Sequence, residues 1–318
     1  MDLSVVIVTY RSRSTIEECL GSLFENLSEL SVEVWLIDNN SNDETAQLVE
    51  QAFPQVNLIK NPENSGFAGG CNLAIPYCSG RYILLLNPDT ITRPGTLPAM
   101  VRFLEDNPRA GIAGCAQFTE TGRFALSCYP DLTLSMVIWS HLQLNKLLPG
   151  MVQGVFREKA RNPIQVPFRV SWVTGSCLMF KQELAREVGL LDDNIFLFTE
   201  EPDFCLRARQ QGWETWFLPG YQVVHYEGKS TSQVPFIRLS NYYLSKLYFF
   251  SKHNSSLSLL MLRLVFSVDL LLRSLIRGVQ AVTGSKTARR SLKFYSRILR
   301  AVWTYRRGDA PADLQQVF

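Results

Sequence analysis

The segment Leu3-Ser-Val-Val-Ile-Val-Thr9 is a continuous apolar run rich in β-branched residues. Such a run is typical of a central parallel strand that is buried on both faces. Further along the chain, helix and strand signals alternate as far as a second apolar strand at Tyr82–Leu86. This repeated β-α-β order predicts an α/β fold, in which a Rossmann-like, mostly parallel sheet is flanked by helices and joined by right-handed crossovers.

Composition and charge narrow the class of protein. The chain has 318 residues, 46% of them hydrophobic, so it can bury a sizeable core. Its net charge of +3 does not indicate a nucleic-acid partner. Seven cysteines include no C-x-x-C pair, so we expect reduced structural thiols. The run at Leu3–Thr9 is too short for a signal peptide and lacks its basic flank, so we expect a cytoplasmic protein.

Polar clusters follow three of the predicted strands at their carboxyl ends. Thr9-Tyr10-Arg11 follows the first strand, Asp38-Asn39-Asn40 the second, and Asn87-Pro88-Asp89 the fourth. Ligands of doubly wound sheets bind outside the carboxyl ends of the strands. We therefore expect one crevice to collect all three clusters.

Asp89 is the candidate metal ligand of this crevice. Pro88 fixes its own φ and biases Asn87 towards an extended conformation, which directs the Asp89 carboxylate outward. A divalent ion on a diphosphate takes one or two protein carboxylates and completes its shell with phosphate oxygens and water. The alternative is a turn in which Asn87 and Asp89 only bond the local backbone. His225, at the end of a later predicted strand, is either a second ligand or a structural histidine.

Two further features suit a nucleotide. Asp38 can accept a hydrogen bond from the imide N–H of a base, next to the backbone of Thr9. The glycine-bearing loop Asn64–Gly70, followed by a helix predicted from Cys71, offers backbone N–H groups and a positive helix end to a phosphate or nucleoside. This loop has neither the G-x-G-x-x-G pattern nor the lysine of a P-loop.

Glu200, Glu201 and Asp203 place three acids within four residues at the start of a predicted helix. One interpretation is that these acids merely cap the helix, because the helix dipole favours negative charge in the first turn. The apolar segment Ile195–Phe198 before them indicates more, because carboxylates held together in apolar surroundings have a raised pKa that suits a general base. Arg207, one turn beyond Asp203, is placed to pair with one of the acids.

Seven motifs, taken in order, resemble the inverting glycosyltransferases of family 2, particularly their bacterial rhamnosyltransferase-like branch. They are Ser4-Val-Val-Ile-Val-Thr-Tyr10, Ile37-Asp-Asn-Asn-Ser41, Asn64-Ser-Gly-Phe-Ala-Gly-Gly-Cys-Asn72, Leu86-Asn-Pro-Asp89, Val173-Thr-Gly-Ser176, Glu200-Glu-Pro-Asp203 and His225-Tyr-Glu-Gly-Lys-Ser230. There are two departures. Asn87 stands where many GT-A enzymes have Asp, and Glu201 stands where the family usually has Asp, so the base would lie one methylene further out.

The resemblance implies a GT-A fold, a Mg²⁺ or Mn²⁺ ion shared with the donor diphosphate, and a role for each matching residue. Glu201 would be the catalytic base, and Asp89 and His225 would hold the metal. The residues expected to bind the donor are Thr9, Tyr10, Arg11, Asp38, Asn40, Asn64, Gly66, Phe67, Asn72, Asn87 and Asp89. Those expected to contact the acceptor or support the base are Trp172, Thr174, Gly175, Glu200, Asp203, Arg207, Lys229 and Ser230.

The activity that the resemblance implies is inverting transfer of a hexose, with dTDP-rhamnose as the favoured donor, to a hydroxyl of a glycan or lipid-linked glycan in cell-surface polysaccharide synthesis. One alternative is a nucleotidyltransferase, which would normally carry a glycine-rich basic loop where Thr9–Arg13 has no glycine. The other is a catalytically inactive sugar-nucleotide-binding scaffold subunit, against which the intact set of Asp38, Asp89 and Glu201 argues.

Three parts of the chain are predicted on this basis. Residues 1–115 would form the nucleotide-sugar-binding half of the GT-A domain, residues 116–235 its acceptor-binding and catalytic half, and residues 236–318 a helical, basic extension. From Arg263 to Arg307 the extension holds eleven Arg or Lys and one acid, Asp269.

Within the extension, Leu257–Val282 is apolar but interrupted by charges at helical spacing, which predicts an amphipathic helix rather than a membrane span. We expect this helix to lie on an anionic membrane surface, with the protein peripheral at the inner face of the cytoplasmic membrane. The alternative is that it packs on the catalytic domain or on a second copy in a homodimer.

Overall fold

The computed structural model describes residues 1–27, 30–141, 166–226, 235–282 and 285–310. The chain divides into two units. The sheet unit comprises Met1–Asp131, Val155–Asp193 and Glu200–Gln233, and the helical unit comprises Leu132–Gly154, Asn194–Thr199 and Val234–Phe318. Lys229 and Ser230 lie outside the described residues. The predicted boundaries after residues 115 and 235 stay predictions.

The strands are β1 (Leu3–Thr9), β2 (Val32–Asn39), β3 (Asn57–Asn61), β4 (Tyr82–Leu86), β5 (Thr90–Thr92), β6 (Ala110–Phe118), β7 (Phe124–Ala125), β8 (Cys128–Tyr129), β9 (Phe168–Val170), β10 (Trp172–Val173), β11 (Cys177–Lys181) and β12 (Glu214–His225). The α-helices are α1 (Ile16–Glu25), α2 (Thr45–Ala52), α3 (Gly66–Ala74), α4 (Thr96–Asp106), α5 (Leu134–His141), α6 (Gln182–Val188), α7 (Glu200–Gln210), α8 (Pro235–His253), α9 (Ser256–Val282) and α10 (Lys286–Thr304).

β1 lies at the centre of the parallel half of the sheet. It pairs in parallel with β2 on one side and β4 on the other, and β3 extends the parallel set beyond β2. The chain runs outward to β3 and then returns to β4, so its direction of progress reverses between β1 and β4. Ligands of doubly wound sheets bind at such a reversal. Every residue of β1 and β4 is buried, as their continuous apolar sequences predict.

The other half of the sheet is mixed. β11 lies between β4 and β6 and is antiparallel to both, while β12 is parallel to β6 and antiparallel to β5 and β9. The apolar segment from Trp172 to Lys181 divides into β10 and β11 around the turn at Thr174–Ser176. Because β11 runs against β4, Cys177 lies opposite Leu86, and this turn reaches the carboxyl end of β4.

The start of α3 was predicted wrongly. The helix begins at Gly66, not at Cys71, so most of the expected loop is helical. A Cβ on Gly70 would lie 2.7 Å from Val8 Cγ1, so only glycine lets this helix pack so closely on β1. In the sequence these glycines suggest a flexible loop, but in the structure they allow the helix to pack closely against the sheet. Gly66 itself has φ of +76°, which suits the turn that leads into the helix.

The helical unit is built from α5, α8, α9 and α10, so the predicted helical extension is confirmed. Its core includes the fully buried rings of Tyr243, Phe250 and Phe266. Asp269 of α9 is also buried and is bonded to neighbouring side chains. Among the described residues, no helix is long and apolar enough to cross a membrane.

Candidate active site

The carboxyl ends of β1 and β2 hold Asp38 in place. Thr9 lies opposite Asp38 in the parallel register, and Thr9 Oγ1 donates a hydrogen bond to Asp38 Oδ1 at 3.2 Å. The backbone N–H of Ser41 donates to Asp38 Oδ2, also at 3.2 Å. Asp38 is buried, so its carboxylate is fixed at the sheet edge from both sides.

Backbone strain marks the same edge and the start of α7. In the described part of the chain, the non-glycine residues with positive φ are Arg11, Asn40, Glu44, Phe198 and Thr199. Arg11 (55°) and Asn40 (59°) follow β1 and β2, while Phe198 (68°) and Thr199 (71°) directly precede Glu200. Such conformations cost about 1–3 kcal/mol each and gather at functional sites. Four of the five therefore belong to, or adjoin, the predicted site.

The end of β12 brings the two predicted metal ligands together. His225 lies opposite Thr90 in the antiparallel pairing of β12 with β5, which places it next to Asp89. His225 Nε2 lies 3.1 Å from Asp89 Oδ1 and 3.4 Å from Asn87 Nδ2. Asp89 is buried and His225 is partly buried. These side chains therefore converge at the carboxyl end of β4, beside the reversal point.

A divalent ion fits this pair of donors. An imidazole nitrogen and a carboxylate oxygen 3.1 Å apart have the separation of two neighbouring ligands in an octahedral shell with bonds of about 2.1 Å. In the described part of the chain, no group of three or more His, Cys, Asp or Glu could hold an ion. Asp89 and His225 could therefore supply two ligands, and phosphate and water the rest.

The first turn of α7 holds the predicted base. Glu201 Oε1 accepts a hydrogen bond of 2.7 Å from the backbone N–H of Gly175, in the turn between β10 and β11. A Cβ on Gly175 would lie 3.0 Å both from that oxygen and from the ring of Phe67 in α3. The predicted base, the Gly175 turn and the predicted donor helix therefore meet at one point, and only glycine fits there without displacement.

Burial governs the protonation of the acid pair. Glu200 is only 3% exposed, and its Oε2 has no hydrogen-bond partner in the part of the chain that the structure describes. Burial, assisted by the charge of Glu201, raises the pKa of Glu200 well above its ordinary value. Burial also raises the pKa of Glu201, against the opposing hydrogen bond from Gly175. A partly buried carboxylate with a raised pKa is suited to accept a proton at neutral pH.

Asp203, Arg207 and Asn72 hold neighbouring elements together. Arg207 Nε donates to Asp203 Oδ2 at 2.7 Å, and its two Nη atoms donate to the carbonyl oxygens of Val188 and Leu190. Asn72 Nδ2 donates to a carbonyl oxygen of the same loop, and Asn72 Oδ1 is buried without a partner among the described residues. These bonds fix α7 and α3 against the loop that follows α6, and the predicted substrate roles of the three residues stay predictions.

Gln117 is a residue that sequence reasoning missed. It is buried in β6, and its Nε2 donates to Thr174 Oγ1 at 2.8 Å and to Ser176 Oγ at 2.5 Å. Since these hydroxyls flank Gly175, Gln117 fixes the turn whose N–H holds Glu201. The available signal was one amide side chain in the otherwise apolar sequence of β6.

The remaining predicted residues have clear local surroundings. Trp172 stacks on Tyr129 with ring centroids 4.2 Å apart, next to the Gly175 turn in sequence. The Arg11 guanidinium lies 5.2 Å from the centre of the Tyr10 ring. Asn64 Oδ1 accepts the backbone N–H of Gly66 at 3.0 Å, which shapes the turn before α3.

This sheet and the acids along its edge define a class of protein, the glycosyltransferases with a GT-A fold. The sequence profile of Glycosyl transferase family 2 matches residues 4–154, and that of Glycosyl transferase family group 2 matches residues 82–283. The chain belongs to glycosyltransferase family 2 and to its rhamnosyltransferase-like branch. The resemblance stated from the motifs is thereby confirmed.

Two curated relatives and one solved structure are similar to the chain. The N-acetylglucosaminyl-diphospho-decaprenol L-rhamnosyltransferase of Mycobacterium tuberculosis is 28% identical, over 92% of this chain and 97% of the relative. The rhamnosyltransferase WbbL of Escherichia coli is 23% identical, over 70% of this chain and 82% of the relative. The mannosyltransferase PcManGT of Pyrobaculum calidifontis, solved with GDP-Man and Mn²⁺, superposes with a TM-score of 0.57 at 16% identity, covering 95% and 86% of the two chains. This likeness confirms the fold.

Proposed function

We propose that the protein is an inverting, metal-dependent rhamnosyltransferase that moves rhamnose from dTDP-rhamnose to a hydroxyl of a lipid-linked N-acetylglucosamine acceptor, in the synthesis of a cell-surface polysaccharide. The observation that carries the proposal is that Asp38, the Asp89–His225 pair and the half-buried Glu201 all lie around the carboxyl ends of the parallel strands. The similarity to the mycobacterial enzyme along nearly its whole length supports the choice of sugar and acceptor.

The nucleotide of the donor binds at the ends of β1 and β2. Asp38 accepts the imide N–H of thymine, because its carboxylate is already oriented by Thr9 and the N–H of Ser41. The strained backbone at Arg11 and Asn40 lies directly after these two strands. The turn at Asn64–Gly66 and the start of α3 present N–H groups to the nucleoside and its phosphates.

The diphosphate of the donor lies over Asp89 and His225. These two residues would hold a Mg²⁺ or Mn²⁺ ion, which when bound offsets the charge that develops on the leaving diphosphate and orients it. Asn87 lies beside His225 and completes the polar wall of this part of the site. The buried position of Asp89 keeps its carboxylate in one orientation.

Glu201 acts as the general base. The acceptor hydroxyl attacks the anomeric carbon of rhamnose from the face opposite the leaving nucleotide, which inverts the configuration there. Glu201 takes the hydroxyl proton, and such help contributes roughly 10²–10⁴-fold to a rate. The Gly175 N–H directs one carboxylate oxygen, and Gln117 supports Gly175 through the hydroxyls of Thr174 and Ser176.

The reaction takes place at the inner face of the cytoplasmic membrane, where a lipid-linked acceptor would be found. Trp172, stacked on Tyr129, offers an aromatic face for the acceptor sugar.

The proposal is tested by measuring nucleotide release from a panel of sugar nucleotides, with a soluble N-acetylglucosaminyl-diphosphate acceptor, in the presence and absence of Mn²⁺. We expect dTDP-rhamnose to be the only donor from which nucleotide is released, and release should require both the acceptor and the ion. Glu201→Gln and Asp89→Ala should abolish this release. Full, metal-independent turnover by both variants would contradict the mechanism. Donor binding in calorimetry without release on any acceptor would instead identify an inactive sugar-nucleotide-binding subunit.

A further inference from the structure

The long helix α9 presents a row of apolar side chains to solvent. We call this row the apolar stripe; its members are 43–72% exposed, and each lies one, three or four residues from the next. The stripe consists of Leu257, Leu260, Leu264, Val268, Leu271, Leu272, Leu275, Ile276 and Val279. Apolar surface of this extent on a soluble unit marks a site of association.

Three charged side chains of α9 are bonded within the helical unit. Asp269 accepts hydrogen bonds from His141 and Tyr243, and Arg273 Nε donates to it at 2.8 Å. Arg263 Nη2 donates to the carbonyl oxygen of Tyr305, beyond the end of α10. Arg277 donates to the exposed Gln280 near the end of the helix, so three of the four charges that interrupt its sequence are bonded inside the unit and its exposed side is mainly apolar.

A row of cations lies on the adjacent helix. α9 packs against α10, and Trp303 Nε1 of α10 donates to Ser267 Oγ of α9 at 3.0 Å. The cation row is exposed and repeats at intervals of three or four residues; it consists of Arg289, Lys293, Arg297 and Arg300. Arg290 is exposed as well. Asp269 is the only acid between residues 256 and 304, so no anionic side chain offsets this charge.

We propose that the apolar stripe and the cation row together form a docking surface for a bilayer that contains anionic phospholipids. Leucine side chains would enter the acyl boundary while arginine and lysine meet the phosphates, which is how interfacial helices bind membranes. Trp303, 46% exposed beside the stripe, is a residue type that prefers this boundary. The inference deepens the proposed function, on which it rests for its use, because a lipid-linked acceptor lies in such a bilayer.

A second copy of the chain suits this surface less well. Two copies that buried the stripe against each other would bring two rows of arginine and lysine into proximity, and the only acid of each helix hairpin, Asp269, is buried away from them. An anionic bilayer can accommodate the apolar stripe and the cation row of one copy at the same time. The charge pattern therefore selects lipid over self-association.

The test is flotation of the full-length protein with vesicles of phosphatidylcholine alone and of phosphatidylcholine with a quarter of phosphatidylglycerol. We expect binding to the mixed vesicles, weak binding to the neutral ones, and release by salt. The double variant Leu271→Gln/Leu275→Gln should lower the partition coefficient by at least roughly tenfold. Lys293→Glu/Arg297→Glu should lower it by a similar factor on mixed vesicles only.

Matched controls on exposed positions of the sheet unit are Val166→Gln/Tyr221→Gln and Arg123→Glu/Arg186→Glu, which should bind as the wild type does. Unchanged thermal unfolding confirms that each variant is folded. The proposal is overturned if the wild type ignores mixed vesicles, or if the stripe variant binds them normally. It is also overturned if that variant only converts a dimer to a monomer in sedimentation velocity. Transfer to the soluble acceptor should persist in all four variants, and its absence in the wild type would refute the proposed function alone.

Discussion

Buried carboxylates occur in both units, but they differ in how many hydrogen bonds they accept. In the helical unit, Asp269 Oδ2 accepts hydrogen bonds from His141 Nδ1 at 2.7 Å and Tyr243 Oη at 2.6 Å, and Oδ1 accepts Arg273 Nε. In the sheet unit, Glu200 Oε2 is buried without a partner among the described residues. Both groups are removed from water, but only one is saturated with donors.

The pKa values of the two groups diverge for this reason. Burial acts to raise the pKa of Asp269, but the hydrogen bonds from His141 and Tyr243 and the charge of Arg273 outweigh it, so the pKa is lowered. Burial raises the pKa of Glu200 and Glu201, and their few hydrogen bonds do not offset it. A saturated buried carboxylate stabilises a fold, whereas one that is short of donors is available for proton transfer.

The largest effect that sharpens this contrast is expected at Glu201. Glu201→Gln keeps the shape of the side chain and its bond to Gly175 but cannot accept a proton, so kcat should fall by roughly 10²–10⁴-fold while unfolding is unchanged. Stopped assays of nucleotide release with saturating donor and acceptor measure the fall. Glu183→Gln, at an exposed position in the first turn of α6, is the matched control. A variant that retained a tenth of wild-type kcat would remove Glu201 from the role of base.

The second largest effect concerns the stability of the helical unit. Asp269→Asn removes the negative charge and one of the two acceptor oxygens, so Arg273 and the His141–Tyr243 pair can no longer all be bonded, and breaking such a buried network costs about 3 kcal/mol. Denaturant unfolding followed by circular dichroism should show this loss. Asp106→Asn, at an exposed helix end, should be nearly neutral. Equal stability of the two variants would mean that the donors around Asp269 contribute little.

A smaller effect is expected at Gly175. A methyl group from Gly175→Ala would press on Glu201 Oε1 and on Phe67, so the Glu201 carboxylate, the proposed base, should move and kcat should fall by about tenfold. Gly21→Ala, where a Cβ meets nothing within 4 Å, is the control and should keep full activity. The pH profile of kcat gives a second readout, because a displaced or weakened Gly175 N–H bond raises the pKa of Glu201 and shifts the acidic limb to higher pH. An unshifted limb with unchanged kcat would contradict the positioning role of the turn.

The smallest expected effect is a change in the pH dependence of stability at Glu200. Since the folded pKa of Glu200 lies above its ordinary value of 4.5, the unfolded chain loses the proton first, and the free energy of unfolding falls as pH rises from there through the folded pKa. Glu200→Gln should remove this fall, so it should stabilise the protein at neutral pH relative to its effect at pH 4.

Asp269, with its lowered pKa, contributes stability that is lost as pH falls, so Asp269→Asn should destabilise less in acid. Denaturant midpoints measured across pH for both variants distinguish the two signs, and parallel curves would contradict them.

Much of the parallel half of the fold was predictable from the sequence. β1 and β4 are continuous apolar runs whose burial follows from their composition, and parallel pairing places their carboxyl ends at one edge. Thr9 and Asp38 therefore meet there as predicted. The approach of His225 to Asp89 was predicted only as a shared role in the site, because it depends on β12 pairing with β5 across more than a hundred residues.

Local pattern was insufficient where long-range packing decides. The glycines of α3 resemble a loop in the sequence, and their use becomes clear only against Val8 of the neighbouring strand. The antiparallel direction of β11 brings Gly175 to the end of β4 and lets Gln117 reach both hydroxyls beside it. Neither contact leaves a periodic signal, because each joins segments that are far apart in the chain.

By itself, the sequence determined the parallel strands, the acids at their ends, the family, and the two faces of α9, since each of these is written in local composition or spacing. Only the tertiary structure decided which face of α9 is covered. The apolar stripe is exposed, whereas Asp269 is buried together with Leu262, Phe266 and Leu270 of the same helix. The physical reason is that helical periodicity defines the faces of a helix but not what packs on each face. His141, Tyr243 and Arg273 bond Asp269 inside the helical unit, and the side chains of the apolar stripe are exposed to solvent.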